Sequence, residues 1–364
     1  MMHDIRDSRH TSTPCIRSSH RAPRPAEPGW RALEETVATP GDAARQVRGS
    51  RSTVRALPVL IALLLSLAAC TGEAVAPAPR ASDGETVRIA VNGWAGSEAS
   101  AAVVGRLLTQ ELGYRVETVR LDPLQSWEGL ERGTVDVILE NWGREALKRT
   151  YIEEKKVAVS AGRSGPTGVV GWYVPQWMAD EHPQITDWRQ LNKYAHLFKT
   201  DKSGNLGQLL DGDPSHVTND EALVRNLGLH YRVVHAGSEK ALIDAARRAA
   251  RNRTPLLMYF YEPHWLFGQI KLAKVNLPPY AIGCDADPAR IRCDYPPYLL
   301  DKIVSRRFAD TGGRAYELVR NFNWTSEQQN AVASDMTDNG LGAPQAAQKW
   351  IDANKLTWKE WVPG

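Results

Sequence analysis

Between Val87 and Leu139 the hydrophobic repeat alternates between the two-residue period of a strand and the 3.6-residue period of a helix. Val87-Arg88-Ile89-Ala90-Val91 alternates as a half-buried strand does. Ser97 to Leu112 carries Ala102, Val103, Leu107 and Leu108 at helical spacing and is closed by Gly113. Val116 to Leu121 reads as a strand, Leu124 to Arg132 as a short helix stopped by Gly133, and Val135 to Leu139 as a third strand. Such a β-α-β-α-β order predicts a mainly parallel sheet with helices on both faces. Val169 to Val174 reads as a further strand, and after it a second set follows: helices at Trp188–Tyr194, Glu221–Leu227 and Glu239–Arg251, and strands at Tyr231–His235 and Leu256–Tyr261. From about Leu266 the chain is expected to return to the first unit. The predicted fold class is α/β, with two lobes, each a mainly parallel sheet flanked by helices, joined by two crossover segments. Residues 86–174 plus 266–364 form the first lobe and 175–265 the second. Ligands of such folds lie at the carboxyl ends of the strands, in the cleft between lobes.

The amino-terminal part is of another kind. Residues 1–70 contain ten Arg, no Lys and six Asp or Glu, a charge of +4, so the remaining residues carry −1 of the total +3. A nearly neutral body lacks the electrostatic footprint of a nucleic-acid-binding protein. Residues 1–50 are polar, Pro- and Arg-rich and without period, the composition of a disordered or doubtful leader. Residues 51–70 place Arg51 and Arg55 before an apolar run, Leu57 to Ala69, that is short for a membrane span and has the layout of a secretory signal. It ends Leu-Ala-Ala-Cys70, which resembles the lipobox of bacterial lipoproteins and makes Cys70 the expected lipid attachment point. Residues 71–85 are small, polar and Pro-containing, as a flexible tether would be. The expected location is therefore outside the cell membrane, anchored to it by lipid.

Four cysteines are present. Cys15 falls in the doubtful leader and Cys70 at the anchor. Cys284 and Cys293 flank an eight-residue loop, DADPARIR, whose spacing suits neither a zinc ribbon nor a redox pair. In an exported protein a disulfide between them is expected; two free thiols are the alternative.

Tryptophan is used out of proportion, 12 against 5 Phe. Large aromatics fill cores, and Trp188 and Trp350 read that way. Trp94, Trp142 and Trp265 fall just past predicted strand ends, where a ring face can hold a cation. Quaternary ammonium groups offer no ordinary hydrogen-bond donor and are held in aromatic cages.

Four stretches resemble the glycine betaine, proline betaine and choline-binding proteins of ABC importers: residues 87–100, with GWAGSEAS after the first strand; WEGLERGTVDVILENW, 127–142; YFYEPHWLF, 259–267; and NFNWTSEQQNAV with AAQKWIDAN, 321–332 and 346–354. Together they span roughly residues 87–364. The resemblance implies a type II periplasmic-binding-protein fold and an extracytoplasmic binding protein that captures a quaternary ammonium compound (glycine betaine, choline, carnitine or similar). It implies a cage between lobes, with Trp142 and Trp265 as walls and Tyr261 at an edge; Trp94 is a further candidate from its place past a strand end, and His264 reads as a structural or ligand-polarising residue. It implies a permease and ATPase as partners, no cofactor or metal, no nucleic acid, and a monomer. Two departures stand out. The family's second-lobe carboxylate loop reads SGNLGQLLDGDPSH here, and its first-lobe histidine is Ala146. A Gly-rich loop opening a helix can still offer amides to an anion, which makes Gly204, Asn205, Gly207 and Gln208 candidates. Glu140 or Glu262 can neutralise a cation, or be merely solvated or ion-paired. A sensor module and a different ligand stay open. An enzyme on the same fold is the weaker rival, since no P-loop, His-Glu-x-x-His or dinucleotide fingerprint is present and no cleft cysteine is paired with a base.

Overall fold

A computed structural model describes residues 85–216 and 218–364. The leader, the signal segment, Cys70 and nearly all of the tether lie outside the described residues. Among the described residues nine strands form one sheet: eight lie on one hydrogen-bonded path, in the order β2-β1-β3-β9-β4-β7-β5-β6, and β8 pairs with β4 off that path. The ranges are β1 Thr86–Val91, β2 Arg115–Arg120, β3 Val137–Asn141, β4 Ala158–Pro175, β5 Gly207–Asp211, β6 Tyr231–His235, β7 Met258–Glu262, β8 Leu272–Lys274 and β9 Tyr298–Ser305.

The expected alternation forms the first part of this path. β1 runs parallel to β2, pairing Val87 with Val116, and to β3, pairing Ile89 with Val137. Helix α1, Ala95–Gln110, buries Val103, Val104, Leu107 and Leu108. Helix α2, Pro123–Arg132, starts with a capping box made by Asp122 and Gln125 and stops at Gly133, whose φ of 73° is the left-handed conformation glycine tolerates. β5 similarly runs parallel to β6 and β7 in the second part.

β4 ties the two parts together. Its first half, from Ala158 to Gly168, pairs antiparallel with β9, and its second half, from Val169, pairs antiparallel with β7 and β8. The strand is thus shared by both sheets, and the passage from one to the other falls near Gly168, inside a single strand. β9 is inserted between β3 and β4. It carries Lys302 in a fully buried setting, 1 % exposed, where the ammonium donates to the carbonyls of Arg320 and Phe322. Burial lowers the Lys302 pKa to about 7.

The carboxy-terminal helices Ser326–Thr337 and Ala343–Ala353 pack on α1. Trp350 and Trp361 stack there at 5.6 Å, so Trp350 is a core residue as expected. Cys284 and Cys293 are joined as a disulfide.

Candidate functional site

The carboxyl ends of β1 and β3 lie side by side, and each is followed by a tryptophan. Trp94 stands at the N-cap position of α1, and Trp142 follows Asn141, the last residue of β3. Both indoles turn to the same group. Trp94 Nε1 donates to Glu140 Oε1 at 2.7 Å and Trp142 Nε1 donates to the same oxygen at 2.9 Å. The Gln329 amide donates to the other carboxylate oxygen. Glu140 is 3 % exposed. Desolvation raises its pKa from 4.5 to about 7, against the lowering effect of these three donors; the nearby Glu239 charge adds to the rise. A small cavity opens here, lined by Trp94, Glu140, Trp142 and Arg144 among others.

More aromatic rings close around the two indoles. Tyr261 meets Trp142 edge-on at 5.3 Å and Tyr298 lies 5.9 Å from it. His216 meets Trp94 edge-on at 5.4 Å. Gly168 leaves room for Trp142: a Cβ there would stand 2.3 Å from Trp142 Cζ3. Arg144, in left-handed backbone conformation, donates to the His216 carbonyl. It thereby joins the β3 end to the segment after β5.

Glu239, the first residue of the helix Glu239–Asn252, reaches across to α1. Its carboxylate accepts from Ala95 N at 3.2 and 3.1 Å. The Tyr261 hydroxyl donates to it as well. His264 Nδ1 accepts from Leu266 N at 3.1 Å, so the neutral ring carries its proton on Nε2. That nitrogen lies 3.3 Å from Glu239 Oε1, without hydrogen-bond alignment. The Glu262–Pro263 peptide bond between Tyr261 and His264 is cis.

Among the residues expected from sequence, Trp94, Trp142, Tyr261 and His264 therefore converge on one place. Trp265 takes a different environment. It is buried, 5.1 Å from His264, and the Arg247 guanidinium lies over its ring at 5.2 Å. Its face is occupied by a protein cation. Gly204, Asn205, Gly207 and Gln208 are also elsewhere. The loop they form opens strand β5, where the sequence suggests a helix, so its amides do not converge as a helix start would. Gly207 N donates to the His230 carbonyl, and Gln208 Oε1 accepts from Thr200 Oγ1 at 2.7 Å. The carboxyl end of β5 is the end near the site: at Gly212 an added Cβ would be 3.8 Å from both His216 and Tyr259. Glu262 lies with Tyr173, whose hydroxyl is 3.3 Å away, and Ala146 is exposed.

Glu239, Arg144, His216 and Gln329 escape the sequence reading. A glutamate in the first turn of a helix is accounted for by the helix dipole, and nothing local shows that it faces another helix. His216 follows Asp211-Gly212-Asp213-Pro214, a turn signal that marks a loop after a strand and was available to place it.

The model of the substrate-binding domain of ABC-type glycine betaine transport systems matches residues 85–353. The chain belongs to this family. It is similar to the trimethylamine N-oxide-binding protein of Pelagibacter ubique, with 25% identity over 280 residues, 74% of this chain and 88% of the relative. Among solved structures, lactococcal OpuAC, closed on glycine betaine, superposes with a TM-score of 0.62 at 21% identity, covering 77% of this chain and 100% of that one. An ABC-transporter choline-binding protein in complex with choline gives a TM-score of 0.62 at 18% identity, covering 76% and 91%. At these identities the likeness is one of fold, the type II periplasmic-binding-protein fold. The family consists of transport substrate-binding proteins, and this chain is one of them.

Proposed function

We propose that the protein captures a small trimethylammonium-type compound between two lobes and hands it to an ABC permease. Glycine betaine, choline and carnitine are the ligands the family resemblance suggests, and the similarity to a trimethylamine N-oxide-binding protein adds that compound to the class. One lobe is built on β1, β2, β3, β9 and the first half of β4, the other on the second half of β4 with β5 to β8. The observation that carries this reading is the pair Trp94 and Trp142 held about one buried carboxylate. An indole face attracts a cation through its quadrupole. A carboxylate behind the indoles supplies the opposite charge in a desolvated place. Trp94 and Trp142 are the walls, and Tyr261 adds an edge through its contact with Trp142. Ligand bridging both lobes shifts the open–closed balance toward the closed form. A lipid on Cys70 would keep the protein at the membrane that holds the permease, with a second acyl chain needed for a stable hold.

Calorimetric titration of the purified protein with glycine betaine, choline, carnitine and trimethylamine N-oxide tests the reading. Saturable binding of at least one of them, lost in Trp142→Ala, supports it. No binding of any of the four overturns it.

A further inference from the structure

The start of α1 lacks the usual N-cap acceptor. Trp94 stands where Ser, Thr, Asp or Asn commonly satisfies the first free amides, and its side chain accepts nothing from the helix. The acceptor comes from a helix packed beside the second sheet. Glu239 takes the Ala95 N–H at 3.2 and 3.1 Å. The Tyr261 hydroxyl donates to the same carboxylate, and the buried Nε2 of His264 lies 3.3 Å from it without a hydrogen-bond partner. A backbone amide at a helix start and a phenol thus converge on one point, beside a buried imidazole nitrogen that has no partner. That is a donor set for an anion. It directly adjoins the cage, because Ala95 follows Trp94 and the Tyr261 ring touches Trp142. In this chain the place is filled by a side chain of the protein itself, with Glu239 only 9 % exposed.

We infer that Glu239 is a specificity-determining residue: by occupying the anion-holding end of the cleft it admits trimethylammonium-type ligands that lack a carboxylate and turns away zwitterions that carry one. The inference rests on the cage reading given under Proposed function. A ligand carboxylate brought to this end meets two obstacles. It has to displace Glu239 from its donors, which leaves a buried charge without partners. Or it has to lie beside Glu239 and near Glu140, a cluster of like charges in a desolvated site. A ligand without a carboxylate meets neither, and its single positive charge faces protein carboxylates already in place. Arg144 is the rival partner for an anion, with its guanidinium given to the His216 carbonyl. A carboxylate seated there would make the wild-type protein favour glycine betaine, which the experiment reads directly.

The test compares choline, trimethylamine N-oxide and glycine betaine by calorimetry on the full chain, in the wild type, Glu239→Ala and Glu239→Gln. The wild type is expected to bind choline or trimethylamine N-oxide about tenfold or more tightly than glycine betaine. Glu239→Ala frees the Ala95 N–H and the Tyr261 hydroxyl beside the unpartnered His264 Nε2, so glycine betaine should gain about tenfold relative to choline. Glu239→Gln keeps the size and an acceptor for Ala95, and should move the ratio the same way by less. It decides the matter if the alanine variant melts out of its fold. A wild type that prefers glycine betaine overturns the role of Glu239 and leaves the cage standing. A ratio unchanged in both variants does the same. A wild type that binds none of the three overturns both.

Discussion

Trp94 and Trp142, which follow two different strands, donate their indole protons to a single oxygen of Glu140. The bond fixes the N–H edge of each indole on the carboxylate. Replacing either indole by alanine removes a wall and also leaves Glu140 short of a donor. Trp142→Ala and Trp94→Ala should each weaken cation binding by about 1–2 kcal/mol or more. Trp142→Phe, which keeps a ring and drops the donor, should lose less. Equal affinities in wild type and both alanine variants, measured by calorimetry, would remove these residues from the cage.

Glu140 is expected to make binding depend on pH, with a sign that reveals the ligand. Its pKa of about 7 in the fold exceeds the ordinary 4.5. The ligand-free fold therefore holds a proton that the unfolded chain releases. This contribution to stability is complete below about 4.5 and is lost as pH rises through 7. A permanent cation such as choline prefers ionised Glu140, so its affinity should rise about tenfold between pH 6 and 8. An amine N-oxide presents an oxygen that accepts a hydrogen bond, prefers the protonated acid, and should bind more weakly over the same range. Titrations at the two pH values, with Glu140→Gln as the flat control, read the slope. A wild type as flat as the control contradicts the role given to this carboxyl.

Gly168 and Trp142 test the packing of the cage from outside it. Since a Cβ on Gly168 would overlap the Trp142 ring at 2.3 Å, Gly168→Ala should push the indole aside. The expected cost is about 1–3 kcal/mol of stability, seen as a lowered melting temperature, together with a loss of ligand affinity. An alanine variant with wild-type affinity would mean that Trp142 can move without consequence.

The Cys284–Cys293 disulfide should matter to stability alone. The loop it closes is short and is also held by Asn226, whose side chain donates to the Ala289 and Ile291 carbonyls. Reduction is expected to cost about 2–3 kcal/mol at most and to leave ligand affinity unchanged. Melting curves and titrations with and without reductant separate the two effects.

The first three strands and both helices between them were legible because their hydrophobic periods are regular and glycines close the helices. β5 was not, since Gly207-Gln208-Leu209-Leu210-Asp211 follows a glycine-rich turn and is too short to display a period. β9 hid for another reason. It carries Asp301 and Lys302 in a buried strand, where their charges are met by Lys148 and by two backbone carbonyls. Such polar residues mask a strand until their partners are known. Of the site, the tryptophans past strand ends could be read from sequence. Trp265 has the same local pattern and yet finds Arg247 on its face, because a ring's neighbour across the fold is set by tertiary packing. Glu239 reaches Ala95 from 144 positions away in the chain, and no local signal encodes that distance.

β9 is one of the last strands to be synthesised, and it enters the sheet between β3 and β4. Until Ser305 has been made, β3 and β4 each present an open seam of unpaired amides and carbonyls, the kind of edge that recruits strands from other molecules. A chain cut short before that point is therefore not a smaller version of this protein but a sticky one. The order of synthesis leaves the middle of the sheet to be filled near the end.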